Sequence, residues 1–325
     1  MKRVVVATVV AGVALLALAA PASAHSGKVV ASDYRATITE GIHIAGVRVR
    51  LVEGGGRVEV TSTRPTIVVL GYDDEPYLRV RPHGVERNTR SPATYLNATR
   101  TPSAPPPSAD AEAPPHWQRI SAGHTARWHD HRTHAMGAAL PDRVTPWQLT
   151  FVVDGRRLLV HGELVHVPGP STVPWIALAI ACAATVVLLG RRALLPALAA
   201  LLVLDVVRVV GLTCEAADGR LTQAIDVGGV DLVGWALLVT AVVRLRTGKH
   251  DGVLAAGMTG LLLATVGGGL DWGDVGRSQL AVATPAVLHR ACIAGVAGLG
   301  AGLALLALRE AGRVPVKRAA TPPVR

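Results

Sequence analysis

Beyond Pro174 the chain is a succession of apolar runs, separated by short basic clusters, at 174–190, 193–212, 227–243, 252–270 and 285–308. Each is close to the ~20 residues that the hydrocarbon core of a bilayer demands of a helix. A soluble domain cannot bury so much uninterrupted apolar sequence. The runs therefore predict an α-helical bundle of about five transmembrane helices, occupying 174–308, with the lipid bilayer as its first partner. Composition agrees, since 50% of the residues are hydrophobic and only 17% are charged, well away from the soluble average.

The distribution of charge orients these runs. Arg191 and Arg192, then Arg244, Arg246 and Lys249, then Arg309, Arg313, Lys317 and Arg318 all fall on one side, against Arg220 and Arg277 on the other. The positive-inside rule makes the first side cytoplasmic, with a cytoplasmic tail at 309–325 and a plasma-membrane location. The formal charge of +10 is thereby mostly topology. No basic patch with interleaved aromatics accompanies it, so no nucleic-acid partner is expected.

Residues 1–24 have the layout of a signal peptide: Lys2 and Arg3, an apolar run from Val4 to Ala20, and an Ala-x-Ala end at Ala24. Cleavage there leaves His25 as a mature N-terminal residue, whose amine and imidazole together form a copper-binding pair. The three cysteines, Cys182, Cys214 and Cys292, all lie after residue 173. The extracytoplasmic part therefore has no disulfide and no Cys-x-x-Cys site.

Between 25 and 173 the pattern changes to short segments rich in Val, Ile and Thr: 34–39, 47–52, 58–62, 66–70 and 77–80. Gly54-Gly55-Gly56 and Pro65 mark turns between them, and Asp73-Asp74-Glu75 reads as a solvated acidic turn. Asp154-Gly155 is a strong hairpin signal between strands at 147–153 and 157–167. The Pro-rich insert 101–115 holds six prolines, too many for a sheet interior; it is an extended surface loop or a flexible insert. The fold class is an extracytoplasmic all-β, sandwich-like domain, antiparallel throughout, ahead of the helical bundle.

Three of the chain's twelve histidines fall within Trp128-His129-Asp130-His131-Arg132-Thr133-His134-Ala135-Met136. On an extended strand His129 and His131 share one face and offer a transition metal two imidazoles. His134, Met136 or His124 then completes the site, and a thioether favours copper over zinc. The alternative is a polar loop whose histidines bind nothing.

Four segments carry a resemblance: Asp33-Tyr34-Arg35; Leu70-Gly71-Tyr72 with Glu75-Pro76-Tyr77-Leu78; Ser91-Pro92-Ala93-Thr94-Tyr95-Leu96-Asn97; and the Trp128–His134 stretch. Together they resemble a family of uncharacterised actinobacterial membrane proteins that pair a secreted β-domain with a C-terminal multi-span region. The resemblance implies that architecture and a cell-envelope location; it brings no reaction with it. The expected mature N-terminal histidine is similar to that of the periplasmic copper-resistance C-type proteins.

Within the apolar runs, Asp205 and Arg208 stand three apart on one helical face and read as a structural ion pair, because lone intramembrane charges are costly; the alternative is that they line a polar path. Asp226 and Asp231 are ~140° apart around a helix, so they form no simple carboxylate pair. Asp271 and Asp274, with His289 and Arg290, read as outer-loop and helix-end charges, the alternative being a cluster that receives an ion from the β-domain. Gly298 and Gly302 permit close helix contact. No nucleophile elbow, His-Glu-x-x-His, phosphate loop or dinucleotide fingerprint occurs, and no enzymatic activity is expected. Two functions follow: a metal-handling envelope protein, with copper the preferred ion, or an extracytoplasmic interaction and assembly module that contacts another envelope protein.

Overall fold

The computed structural model describes residues 31–99, 102–135, 143–215, 220–249 and 251–313. The expected signal 1–24, His25, Met136 and the tail beyond 313 lie outside the described residues.

The N-terminal part is built from β1 (Tyr34–Glu40), β2 (Val47–Val52), β3 (Arg57–Ser62), β4 (Ile67–Leu70), β5 (Pro76–Arg81), β6 (Gly84–Asn88), β7 (Trp117–Ser121), β8 (Thr125–Trp128), β9 (Val144–Val153) and β10 (Arg156–His166). A 3-10 turn at Glu53–Gly55 and a short helix, α1 (Ala93–Leu96), interrupt them. Seven strands form one sheet in the order β1-β10-β9-β4-β5-β6-β7, and three form a second in the order β2-β3-β8. Every ladder is antiparallel. Val58, Val60, Ala126 and Trp128 of the small sheet share one core with Ile67, Val69, Val80, Leu149, Phe151 and Val160 of the large one. Alternation along each strand puts these residues on the facing sides of two layers. Asp154 and Gly155 both take positive φ, 49° and 76°, the tight turn that twists correctly between β9 and β10. Pro146 lies in the half of β9 that β4 does not reach, since their ladder covers only Ile67–Val69 against Phe151–Val153, so its missing N–H breaks no ladder.

Strands β6, β7 and β8 were not among the expected segments. The Pro-rich stretch crosses the surface without regular structure and is tied down by Asp110 N–H to the Arg90 carbonyl at 2.7 Å and by Ser103 Oγ to the Tyr95 carbonyl at 2.9 Å. The acidic turn is also different from expectation. Glu75 points inward and is buried, accepting hydrogen bonds from Ser91 Oγ at 2.6 Å and Asp73 N–H at 3.0 Å.

The C-terminal part comprises α2 (Val173–Leu189), α3 (Leu194–Glu215), α4 (Arg220–Arg246), α5 (Gly252–Leu263) continued by a π-helical segment (Ala264–Gly269), α6 (Trp272–Val275) and α7 (Ala286–Gly312). Four helical stretches are long and apolar enough to cross a membrane: Val173–Thr213, Val227–Arg246, Gly252–Gly269 and Ala286–Gly312. The expectation of five is corrected to four, because the first two expected runs form one helical stretch of 41 residues, joined through the 3-10 turn Gly190–Ala193. At ~1.5 Å per residue that stretch is about twice the thickness of a bilayer core, and it does not run straight. Gly190 (φ 58°, ψ −134°) turns the chain, and the two halves lie along α7 in opposite senses. Gly298 and Gly302 of α7 meet Ala179 and Ala183 of α2 in parallel order, whereas Gly295 meets Leu204 and Thr284 meets Gly211 of α3 in antiparallel order. The expected small-residue contact is thus made within the chain, between α7 and α2.

The β-domain sits on the end of the bundle where α7 begins. Ser32 pairs with Gln279 in a β-bridge. Arg277 Nη1 donates to Asp33 Oδ2 at 2.7 Å and Ser278 N–H to Asp33 Oδ1 at 2.9 Å. Burial would raise the Asp33 carboxyl, but these two partners hold it below the usual range. The basic turns gather at the other end: Arg191 bonds Glu310 at 3.0 Å, and Gly257, just after the Arg244–Asp251 turn, packs on Ala307.

Candidate functional site

Two sites contain the residues singled out in the sequence. The first is the histidine stretch. Strand β8 ends at Trp128, and residues 129–135 form turns. The alternation expected to bring His129 and His131 onto one strand face is therefore corrected; a buried Asp130 bends the chain away from the sheet. Its carboxylate accepts Trp128 Nε1–H at 3.0 Å, Arg132 Nε at 2.8 Å, Arg132 Nη2 at 2.8 Å and the Arg132 N–H at 3.1 Å. Burial pushes this carboxyl up, and the Arg132 guanidinium, followed by the indole, more than reverses it, so Asp130 stays below the normal carboxylate range.

Around this carboxylate the histidines separate. His129 turns to the glycine turn, with Nδ1 3.0 Å from the Gly56 carbonyl oxygen and Nε2 accepting from Arg57 Nε at 3.2 Å. His131 Nε2 lies 2.7 Å from the Leu96 carbonyl, and its backbone N–H donates to Tyr72 Oη at 3.2 Å. His134 Nδ1 lies 2.9 Å from the Asp130 carbonyl. The rings of His131 and His134 come together, 5.3 Å between centroids, while His129 does not join them. His124 is exposed in the β7–β8 turn, and Met136 and His25 lie outside the described residues. Among the described residues no three His, Cys, Asp or Glu side chains gather as a metal-holding group.

Residues from the 70–78 and 91–97 segments meet the histidine stretch here. Tyr72 Oη donates to Asn97 Oδ1 at 2.6 Å and lies under the Arg132 guanidinium, 4.7 Å from its ring centroid. Burial, then the Asp130 charge, push the Tyr72 phenol up to about 12. Thr133 Oγ1 spans the Gly55 and Asp130 carbonyls, 3.0 Å from each. Gly55 has φ 94°, and a Cβ there would strike Ala36, so only glycine lets the turn approach this closely. The arrangement clamps the small sheet to the turns of the large one.

The second site lies inside the bundle. Asp205 and Arg208 pair as their spacing predicts, Nε to Oδ1 at 2.9 Å. Arg208 also donates through Nη1 to Asp271 Oδ2 at 2.5 Å and through Nη2 to Asp231 Oδ1 at 2.6 Å. Trp235 Nε1 donates to the other Asp205 oxygen at 2.7 Å. All four charged groups are buried. Asp271 is thus corrected from an outer-loop charge to a bundle ligand, held by the turn that follows the π-helical segment. Asp231 and Trp235, four apart on α4, were missed as partners because sequence spacing reveals neighbours on one helix and nothing about the next. The usable signal was the rarity of intramembrane carboxylates. Gly267 of the π segment lies against the cluster, where a Cβ would come within 2.6 Å of Asp205 Oδ1. No family model, no curated protein and no solved structure matches this chain.

Proposed function

We propose that the protein is a membrane-anchored cell-envelope protein whose β-domain is an external interaction and assembly module contacting another envelope protein. The observation that carries the reading is the hydrogen bonding of the histidine stretch: His129, His131 and His134 each place a ring nitrogen within 3.0 Å of a backbone carbonyl oxygen. Such bonds use the imidazoles to fix loops, which leaves the outer surface of the domain as its working part. The β7 edge, with exposed Ile120, has no further strand beside it among the described residues and is a sheet margin of the kind partners extend. Orientation is supported by the basic residues Arg191, Arg192, Arg244, Arg246, Arg309 and Arg313, which collect at the bundle end remote from the β-domain and mark it as cytoplasmic. Exposed Ile180, Leu188, Val203, Val233 and Leu305 form a lipid-facing surface.

Copper handling is the second reading, and the closeness of the His131 and His134 rings favours it. One experiment separates the two. The full chain, purified with its signal intact and placed in lipid nanodiscs, is titrated with Cu(II) and Cu(I) beside the His129→Ala/His131→Ala form. A photo-crosslinker at Ile120 is used in parallel in cells. The expected result is equal, weak copper binding by both forms and a crosslink to one defined envelope protein. Tight stoichiometric binding lost in the double variant, without a crosslink, would replace the module with a copper site.

A further inference from the structure

Three buried carboxylates, Asp205, Asp231 and Asp271, converge on one guanidinium, that of Arg208, inside the bundle. All are nearly out of reach of solvent, with side-chain exposures of 5% or less. In a low-dielectric interior such an excess of like charge is expensive, and a carboxyl that cannot be paired is neutralised instead. The geometry selects which one. Asp205 has both oxygens engaged, Oδ1 by Arg208 and Oδ2 by Trp235. Asp271 binds Arg208 Nη1 directly. Asp231 differs: Oδ1 accepts from Arg208 Nη2, but Oδ2 is buried and meets no donor among the described residues.

We propose that Asp231 is a proton-binding site within the bundle, carrying its proton on Oδ2 at neutral pH and releasing it as the pH rises. Protonation there leaves the Arg208 contact on Oδ1 intact and removes one of the three negative charges gathered around that guanidinium. Among the described residues, the following groups face Asp231 or lie level with it. α3 contributes Asp205 and Arg208, and the turn after the π segment contributes Asp271. α5 and the π segment carry no titratable side chain. On α7, whose register against α3 pairs Gly211 with Thr284 and Leu204 with Gly295, His289, Arg290 and Cys292 lie at the level of Arg208. The described basic side chains of α4 itself, Arg244 and Arg246, are at its far end. The site also adjoins a π-helical segment, a local unwinding that recurs at functional positions. It stands at the foot of the β-domain, since Asp271 opens the stretch whose Arg277, Ser278 and Gln279 grip Ser32 and Asp33.

The test is infrared spectroscopy of the full chain in lipid nanodiscs, following the carbonyl stretch of protonated carboxylic acids while pH is stepped upward. Wild type should show this band at neutral pH and lose it on alkalinisation. Asp231→Asn should lack the band, and Asp205→Asn should keep it. A wild type with no such band at neutral pH, or an Asp231→Asn form with the band undiminished, would overturn the proposal. So would loss of the band on adding sodium at constant pH, which would make the site one for a metal cation. Should Asp231→Asn not assemble, Asp231→Glu serves instead, because the longer side chain must shift the band; an unshifted band overturns the assignment.

Discussion

Trp128 and Asp130 are two residues apart and bound to one another, the indole Nε1–H lying 3.0 Å from Oδ2. The bond closes the turn that ends β8, and Arg132 completes it from the other side. Replacing Asp130 with Asn strands a half-buried guanidinium and weakens the indole bond. The expected loss is about 3 kcal/mol of β-domain stability, in the range found when one partner of a buried pair is removed. Equilibrium denaturation followed by tryptophan fluorescence measures it; a loss under ~0.5 kcal/mol would mean the turn does not depend on this carboxylate.

Acid should find the same residue. The carboxyls of Asp130, of Glu59 between Arg50 and Arg127, and of Asp33 are all depressed in the folded chain despite burial. Their contribution is fully present above the unfolded carboxyl values and is lost as pH falls through the lower folded ones. Stability should therefore decline steeply below about pH 4, less steeply in Asp130→Asn. Tyr72 acts in the opposite direction. With its phenol raised to about 12, its contribution is complete below the unfolded value near 10 and is lost above it. Tyr72→Phe should flatten the alkaline limb of the same pH–stability curve.

In the bundle, Arg208→Ala should abolish recovery of folded protein, because three buried carboxylates lose the guanidinium they share. Asp205→Asn should be tolerated far better. The double change Asp205→Ala/Arg208→Ala should be as poor as Arg208→Ala alone, since Asp231 and Asp271 remain. Size-exclusion recovery in detergent measures all three; rescue by the double change would show that Asp205 and Arg208 form an isolated pair.

Gly298→Val should separate α2 from α7. A Cβ at Gly298 already comes within 2.8 Å of the Ala179 backbone and Cys182, whereas one at Gly229 meets nothing within 4 Å. Overpacking of this kind costs roughly 1–3 kcal/mol where neighbours can yield, and the Ala179 backbone cannot yield easily. Thermal melting in detergent should fall for Gly298→Val and stay unchanged for Gly229→Ala.

A C-terminal reporter should be active only in the cytoplasm. Glu310, near the end of α7, bonds Arg191 at 2.8 Å, so the chain leaves the bundle at its basic end. Activity confined to the outer face would reverse the orientation.

Local signals were legible and long-range ones were not. Asp154-Gly155 announced its hairpin because positive φ at both positions is a property of those two residues. Apolar runs of the right length announced the helices. By contrast, β7 carries Trp117 and Ile120 in a polar context and is a strand only because β6 supplies its ladder. The histidine stretch looked like a strand by spacing. What bends it is Asp130, whose partners Trp128 and Arg132 are local, but whose burial depends on turns 55 and 72 from elsewhere. Asp205 and Arg208 were legible as a pair since one helix holds both. Asp231 and Asp271 reach the same guanidinium only through the packing of other elements, and no periodicity encodes that.

The strand order also fixes how the β-domain bears force. A partner pulling on β7 loads the ladders in series, from β7 through β6, β5, β4 and β9 to β10, which runs on into α2. The pull acts across the strands, so each ladder is opened rather than sheared. The shortest link in that line is β4 to β9, with three paired positions against ten between β9 and β10. That ladder is the narrowest hydrogen-bonded joint between the β7 edge and the helical part, one pair shorter than the ladders β4 to β5, β5 to β6 and β6 to β7.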